Sequence, residues 1–91
     1  MKSIELNEYT FAAAYILEIE LGCTGDIREE IDNDLKHNYM TVHETTKGET
    51  VHYYDGMKEG IAYTENGETV ILLDDEAEEF CKEERIYIAE E

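Results

Sequence analysis

Nucleophilic catalysis needs a Ser, Cys or Thr placed beside a base, and the 91-residue chain offers few such pairings. Ser3 is its only serine, and neither Cys23 nor Cys81 has a histidine near it in sequence. The two cysteines form no CxxC and sit among apolar neighbours, which reads as free buried thiols in a reducing cytoplasm. Gly22-Cys-Thr-Gly25 leads into a helix as a phosphate cradle would, but Asp26, Glu29 and Glu30 follow it and would repel a phosphate. The stretch DNDLKH, Asp32 to His37, begins like a calcium loop yet lacks the glycine at its sixth position and the closing Glu. His37, His43 and His52 are not spaced for zinc, and the last two fall on strands, where they face each other or solvent. Carboxylates are so numerous that the nearness of two says nothing about acid–base chemistry. No catalytic residue, cofactor or metal ligand is assigned from the sequence, and a non-enzyme is expected.

The carboxylates themselves are the outlying feature. Twenty-four acids face seven bases, for a formal net charge of −17 and a pI near 4.3. Such a surface repels nucleic acid, whose binding needs Lys and Arg to displace counterions from phosphates, and it repels anionic membranes. It attracts basic proteins and steers their approach, at the cost of self-repulsion in the folded state. Solubility or adaptation to high salt are the plainer uses of such charge; nine isoleucines and eighteen Glu against six Asp argue against the salt reading. The acids are unevenly spread: residues 68–91 hold ten acids and two bases.

Length and composition bound the frame that carries them. Ninety-one residues make one domain with a thin core, and 42% apolar residues are enough to build it. Proline is absent, so helices and strands run uninterrupted. The start, MKSIELNEY, does not read as a signal peptide, and the longest apolar run, Phe11–Leu17, is too short to span a membrane. A cytoplasmic protein is expected.

The pattern predicts helices over about 8–21 and 26–37. Asn7 caps the first and Gly22 ends it; a strand is the rival reading, because Leu17 to Leu21 alternates apolar and acidic. In the second, Ile27, Ile31 and Leu35 form a narrow apolar stripe, Thr24 or Asp26 caps it, and Glu29, Glu30, Asp32, Asn33 and Asp34 are placed on its solvent side. From Tyr39 the period changes to two. Lys47-Gly48, Asp55-Gly56 and Asn66-Gly67 punctuate four strands, about 39–46, 49–54, 57–65 and 68–73, as an antiparallel meander with tight turns. A tight Asn66-Gly67 turn pairs Glu65 with Glu68, Tyr63 with Val70 and Ile61 with Leu72, and the last two pairs are expected to pack on the first two helices. Val70 to Leu73 is apolar on both faces and reads as an interior strand, covered by the helical pair on one side and by the C-terminal helix or a second copy of the chain on the other. That closing helix runs over about 75–84, capped by Asp74 or Asp75, with Ala77, Phe80 and Cys81 inward. Arg85 to Ala89 alternates again and predicts a fifth strand. The fold class is α+β: two N-terminal helices on a four- to five-stranded meander, with an acidic helix at the C-terminal end.

Asp74 to Glu84 holds seven carboxylates and one lysine. At ~1.5 Å of rise per residue this is about one net charge per 2.7 Å, of the order of a phosphate strand at ~3.4 Å. In length, charge, scarcity of bases and layout the chain resembles the small acidic proteins that phages encode against bacterial defence, notably anti-CRISPR proteins and anti-restriction DNA mimics. The resemblance rests on composition and arrangement and carries no motif. It implies a stoichiometric inhibitor in the host cytoplasm whose carboxylates occupy a Lys/Arg groove built for DNA or guide RNA, such as that of a CRISPR-associated complex. The contacts it implies are Asp74, Asp75, Glu76, Glu78, Glu79, Glu83 and Glu84, with Glu29, Glu30, Asp32 and Asp34 as a second patch and Tyr53 or Tyr54 as an aromatic anchor. An antitoxin or immunity protein against a basic toxin or nuclease uses the same physics; an acidic adaptor domain, as a homodimer, is the third reading.

Overall fold

A computed structural model describes residues 7–86. Its elements run α1 (Glu8–Glu20), α2 (Ile27–Lys36), β1 (Met40–Thr45), β2 (Gly48–Tyr54), β3 (Glu59–Glu65), β4 (Glu68–Leu73) and α3 (Asp75–Glu84). The four strands form one antiparallel sheet in the order β1-β2-β3-β4. The fold is therefore α+β with a four-stranded meander, as the change of period at Tyr39 implies.

Each element has a local cause. Asn7 Oδ1 accepts the Thr10 amide at 2.9 Å and starts α1. Residues 17–20 stay helical despite the alternation, with Leu21 as the C-cap, because Leu17 lies fully buried against the sheet together with Ala13 and Ala14. Asp26 caps α2 by accepting the Glu29 amide at 3.2 Å. The third turn is tight: Asn66 and Gly67 both take positive φ, 54° and 80°, and the pairs Glu65–Glu68, Tyr63–Val70 and Ile61–Leu72 form. The other two differ from expectation. The first turns at Thr46-Lys47, with Gly48 at φ 90° as the first residue of β2. The second is a loop from Asp55 to Lys58, in which Asp55 Oδ1 accepts the amides of Met57 and Lys58 at 2.8 and 2.9 Å. Asp55 can bond its own backbone two residues on, and this longer Asx turn outcompetes the two-residue turn.

The sheet is covered on both faces. Met40, Val51, Tyr53 and Ala62 pack under α1 and α2, with Leu17 and Ile31 above them. Ile61 and Tyr63 point the other way and pack with Ala77, Phe80, Cys81 and Ile86 of the α3 side. The Tyr63 and Val70 row thus lies under α3 and not under the first two helices. Strand β4 is sandwiched between both layers, with Ile71 and Leu73 on one face and Val70 and Leu72 on the other. This explains its continuous apolar run, although among the described residues β4 is an edge strand and not an interior one. Two expectations about the C-terminal helix also change. Asp74 stands at its N-cap position without a side-chain cap bond, because its backbone takes φ 53° to turn directly from β4 into α3. Arg85 closes the helix in the left-handed conformation, and Ile86 N–H donates to Cys81 carbonyl oxygen at 2.9 Å. The expected fifth strand over 85–89 therefore does not begin at Arg85, and residues 87–89 lie outside the described residues.

Candidate functional site

Ala77, Phe80 and Cys81 are spaced i, i+3, i+4 and turn one side of α3 onto the sheet, where Phe80 stacks on Tyr63 with ring centroids 5.5 Å apart. The same spacing fixes the free side. Glu76, Glu79 and Glu83 follow one another at intervals of three and four and form a single outward strip, with Asp75 beside it. All four are exposed, and no ion pair engages them among the described residues. Asp74 is exposed as well. Over the ~12 Å of helix from Asp75 to Glu83, four uncommitted charges amount to about one per 3 Å, close to the ~3.4 Å of a phosphate strand.

The other two α3 acids have partners. Glu78 meets Lys82 at 3.3 Å in an exposed i,i+4 pair. Glu84, counted from the sequence among the partner contacts, reaches the first hairpin instead. Its carboxylate accepts the Thr46 amide at 2.9 Å and the Thr46 hydroxyl at 2.6 Å. The hydroxyl bond first, and the amide bond next, hold its pKa below the ordinary value.

The second patch divides. Glu29, Glu30 and Asp32 are exposed on α2, but Asp34 is only 6% exposed and is withdrawn from any partner surface. It lies inward because residues 31 and 34 are one helical turn apart and Ile31 is anchored in the core. Asp34 meets Glu18 of α1, also buried, and the Glu18 carboxyl is pushed up to about 8. Burial is the largest cause, followed by the hydrogen bond to Asp34, the charge of Asp34 and the charge of Glu30. One carboxyl of this acidic chain thus keeps its proton at neutral pH. Its Oε1 has no hydrogen-bond partner among the described residues. Nearby, Tyr53 is buried and donates its hydroxyl to Asp55 Oδ2 at 2.9 Å, so it is core and not an anchor. Tyr54 is exposed. Sequence reasoning passed over the exposed apolar side of α1, where Tyr9, Tyr15 and Ile19 face outward.

Beneath α3 lies a polar cluster that sequence spacing also passed over. His52 of β2 and Glu59 of β3 point to the same face, and their Nε2 and Oε2 atoms are 2.8 Å apart. Cys81 Sγ comes down from α3 to 3.9 Å from the same Oε2. His52 and Cys81 are 3% and 7% exposed, and Glu59 is half-buried. Burial first, then the charge of Glu59 and its hydrogen bond, push the Cys81 thiol up to about 12, so it is a poor nucleophile at neutral pH. His43 lies beside the cluster, its ring centroid 6.2 Å from that of His52, and its Nε2 is 2.8 Å from Thr41 Oγ1. Burial, and then His52, lower the His43 pKa.

The described residues thus define an α+β protein with helices on both faces of a meander and an uncommitted acidic strip on α3. No helix among them is long and apolar enough to cross a membrane. No family model, curated protein or solved structure matches the chain.

Proposed function

We propose that this protein is a non-enzymatic, stoichiometric inhibitor that lays the acidic strip of α3 into a basic, nucleic-acid-binding groove of a bacterial defence effector, in the manner of an anti-CRISPR protein. The observation that carries the reading is the strip itself: Asp75, Glu76, Glu79 and Glu83 are exposed, close to phosphate spacing, and engaged in no ion pair among the described residues. The patch on α2 faces away from α3 across the sheet, so Glu29, Glu30 and Asp32 serve approach more than contact. Asp34 has no part in it.

The test is competition. The protein should displace DNA or guide RNA from a CRISPR-associated effector at one-to-one stoichiometry, and displacement should weaken steeply as salt rises. Reversal of Glu76, Glu79 and Glu83 to Lys should abolish displacement in a variant that still folds. Unchanged displacement by that variant overturns the reading. So does tight, salt-insensitive binding that is lost on mutation of Tyr9, Tyr15 and Ile19, which would place the contact on α1.

A further inference from the structure

We propose that His52, Glu59 and Cys81 form a zinc-binding site between the sheet and α3. Three elements deliver one nitrogen, one oxygen and one sulfur donor to a single place, and the three atoms all lie within 4.8 Å of one another. Zinc takes this borderline-soft combination in tetrahedral geometry, with bonds of about 2.0–2.3 Å. Such bonds require donor-to-donor edges of roughly 3.3–3.6 Å. The nitrogen–oxygen edge of 2.8 Å is shorter than this and the sulfur–oxygen edge of 3.9 Å is longer. An ion entering the cluster would push the first apart and draw the second in, each by less than ~1 Å.

The surroundings suit a metal. Ile61, Ala77 and Phe80 pack around Cys81 and exclude water, which strengthens any bond to a cation. Half-buried Glu59 leaves a way in, and the net charge of −17 concentrates divalent cations around the molecule. His43 Nε2 is engaged by Thr41 Oγ1, so the three residues would leave a fourth position for water. The site would tie β2, β3 and α3 together and fix the helix that carries the acidic strip, and it stands whether or not the proposed partner is correct.

Cobalt(II) added to the reduced, metal-stripped full chain reads the site directly. The expected result is one cobalt per chain, with a thiolate-to-cobalt charge-transfer band and the visible bands of a tetrahedral ion, all displaced by one equivalent of zinc. Zinc should also raise the melting temperature. Cys81→Ser should abolish the charge-transfer band and His52→Ala should weaken cobalt binding, whereas Cys23→Ser should leave both intact. Absence of a band and of any zinc-dependent melting shift in the folded wild-type chain overturns the proposal, and so does a band that is lost in Cys23→Ser and kept in Cys81→Ser. Because the wild-type titration decides by itself, misfolding of a variant does not rescue the idea.

Discussion

The two faces of the sheet bury carboxyls by opposite means. On the α1–α2 face, Glu18 has another acid, Asp34, as its neighbour and keeps a proton. On the α3 face, Glu59 has a histidine and a thiol. The difference teaches how a chain of net charge −17 makes a core at all. An inward acid must be protonated or hydrogen-bonded locally, because a bare buried carboxylate costs several kcal/mol. Acids that achieve neither are left outside, and among the described residues Asp75, Glu76, Glu79 and Glu83 line one exposed side of α3.

The largest effect should come from removing the proton on the α1–α2 face. A carboxyl whose pKa is raised on folding, here from 4.5 to about 8, contributes stability that is fully present below pH 4.5 and is lost as pH rises to about 8. Glu18→Gln keeps the donor to Asp34 without the titration. Urea unfolding across this pH range should show the wild type losing a few kcal/mol relative to Glu18→Gln, at about 1.4 kcal/mol per pH unit. A pH-independent gap between the two would break the contrast between the faces. The self-repulsion of the remaining acids is common to both proteins and cancels.

A smaller loss should follow from crowding the seam of that face. Gly60 has no side chain because a Cβ there would stand 2.6 Å from Leu17 Cδ1 and 3.4 Å from Leu73 Cδ2. Leu17 is fully buried, so its side chain has little room to give way. Gly60→Ala should therefore destabilise by about 1–3 kcal/mol, measured by urea unfolding, without altering metal binding on the α3 face.

Much of this was legible in the sequence. The change of period at Tyr39, the Asn66-Gly67 turn and the caps at Asn7 and Asp26 act through near neighbours and fix the α+β meander. Which face each strand turns to which helix is decided by long-range packing, so Tyr63 and Val70 were expected under the wrong helices. Helical periodicity gave Ile31 as core but does not say how wide the buried stripe is, and Asp34 was placed outside for its charge alone. Its partner Glu18 is sixteen residues away, a distance at which spacing carries no signal. The same holds for His52, Glu59 and Cys81, which lie on three elements and meet only because α3 folds back over the sheet. Glu84 looked free because Thr46, its partner, lies in a turn thirty-eight residues earlier. The sequence shows α3 as an acidic helix from Asp74 to Glu84, but which of its acids stay free is decided by Lys82 and Thr46, which engage Glu78 and Glu84 and leave Glu76, Glu79 and Glu83.

That strip is the smallest of the expected effects on folding and the one on which the functional reading depends. Substitution of all three residues, Glu76→Gln, Glu79→Gln and Glu83→Gln together, relieves like-charge repulsion at i,i+3 and i,i+4. Each relieved pair is worth about 0.2–0.5 kcal/mol. Loss of Glu76 from the first turn, where the helix dipole favours an acid, offsets part of this gain, so urea unfolding at low salt should find the triple variant within ~1 kcal/mol of the wild type. A loss of more than ~1 kcal/mol would mean that the strip holds α3 in place, and its charge would then need no partner to explain it.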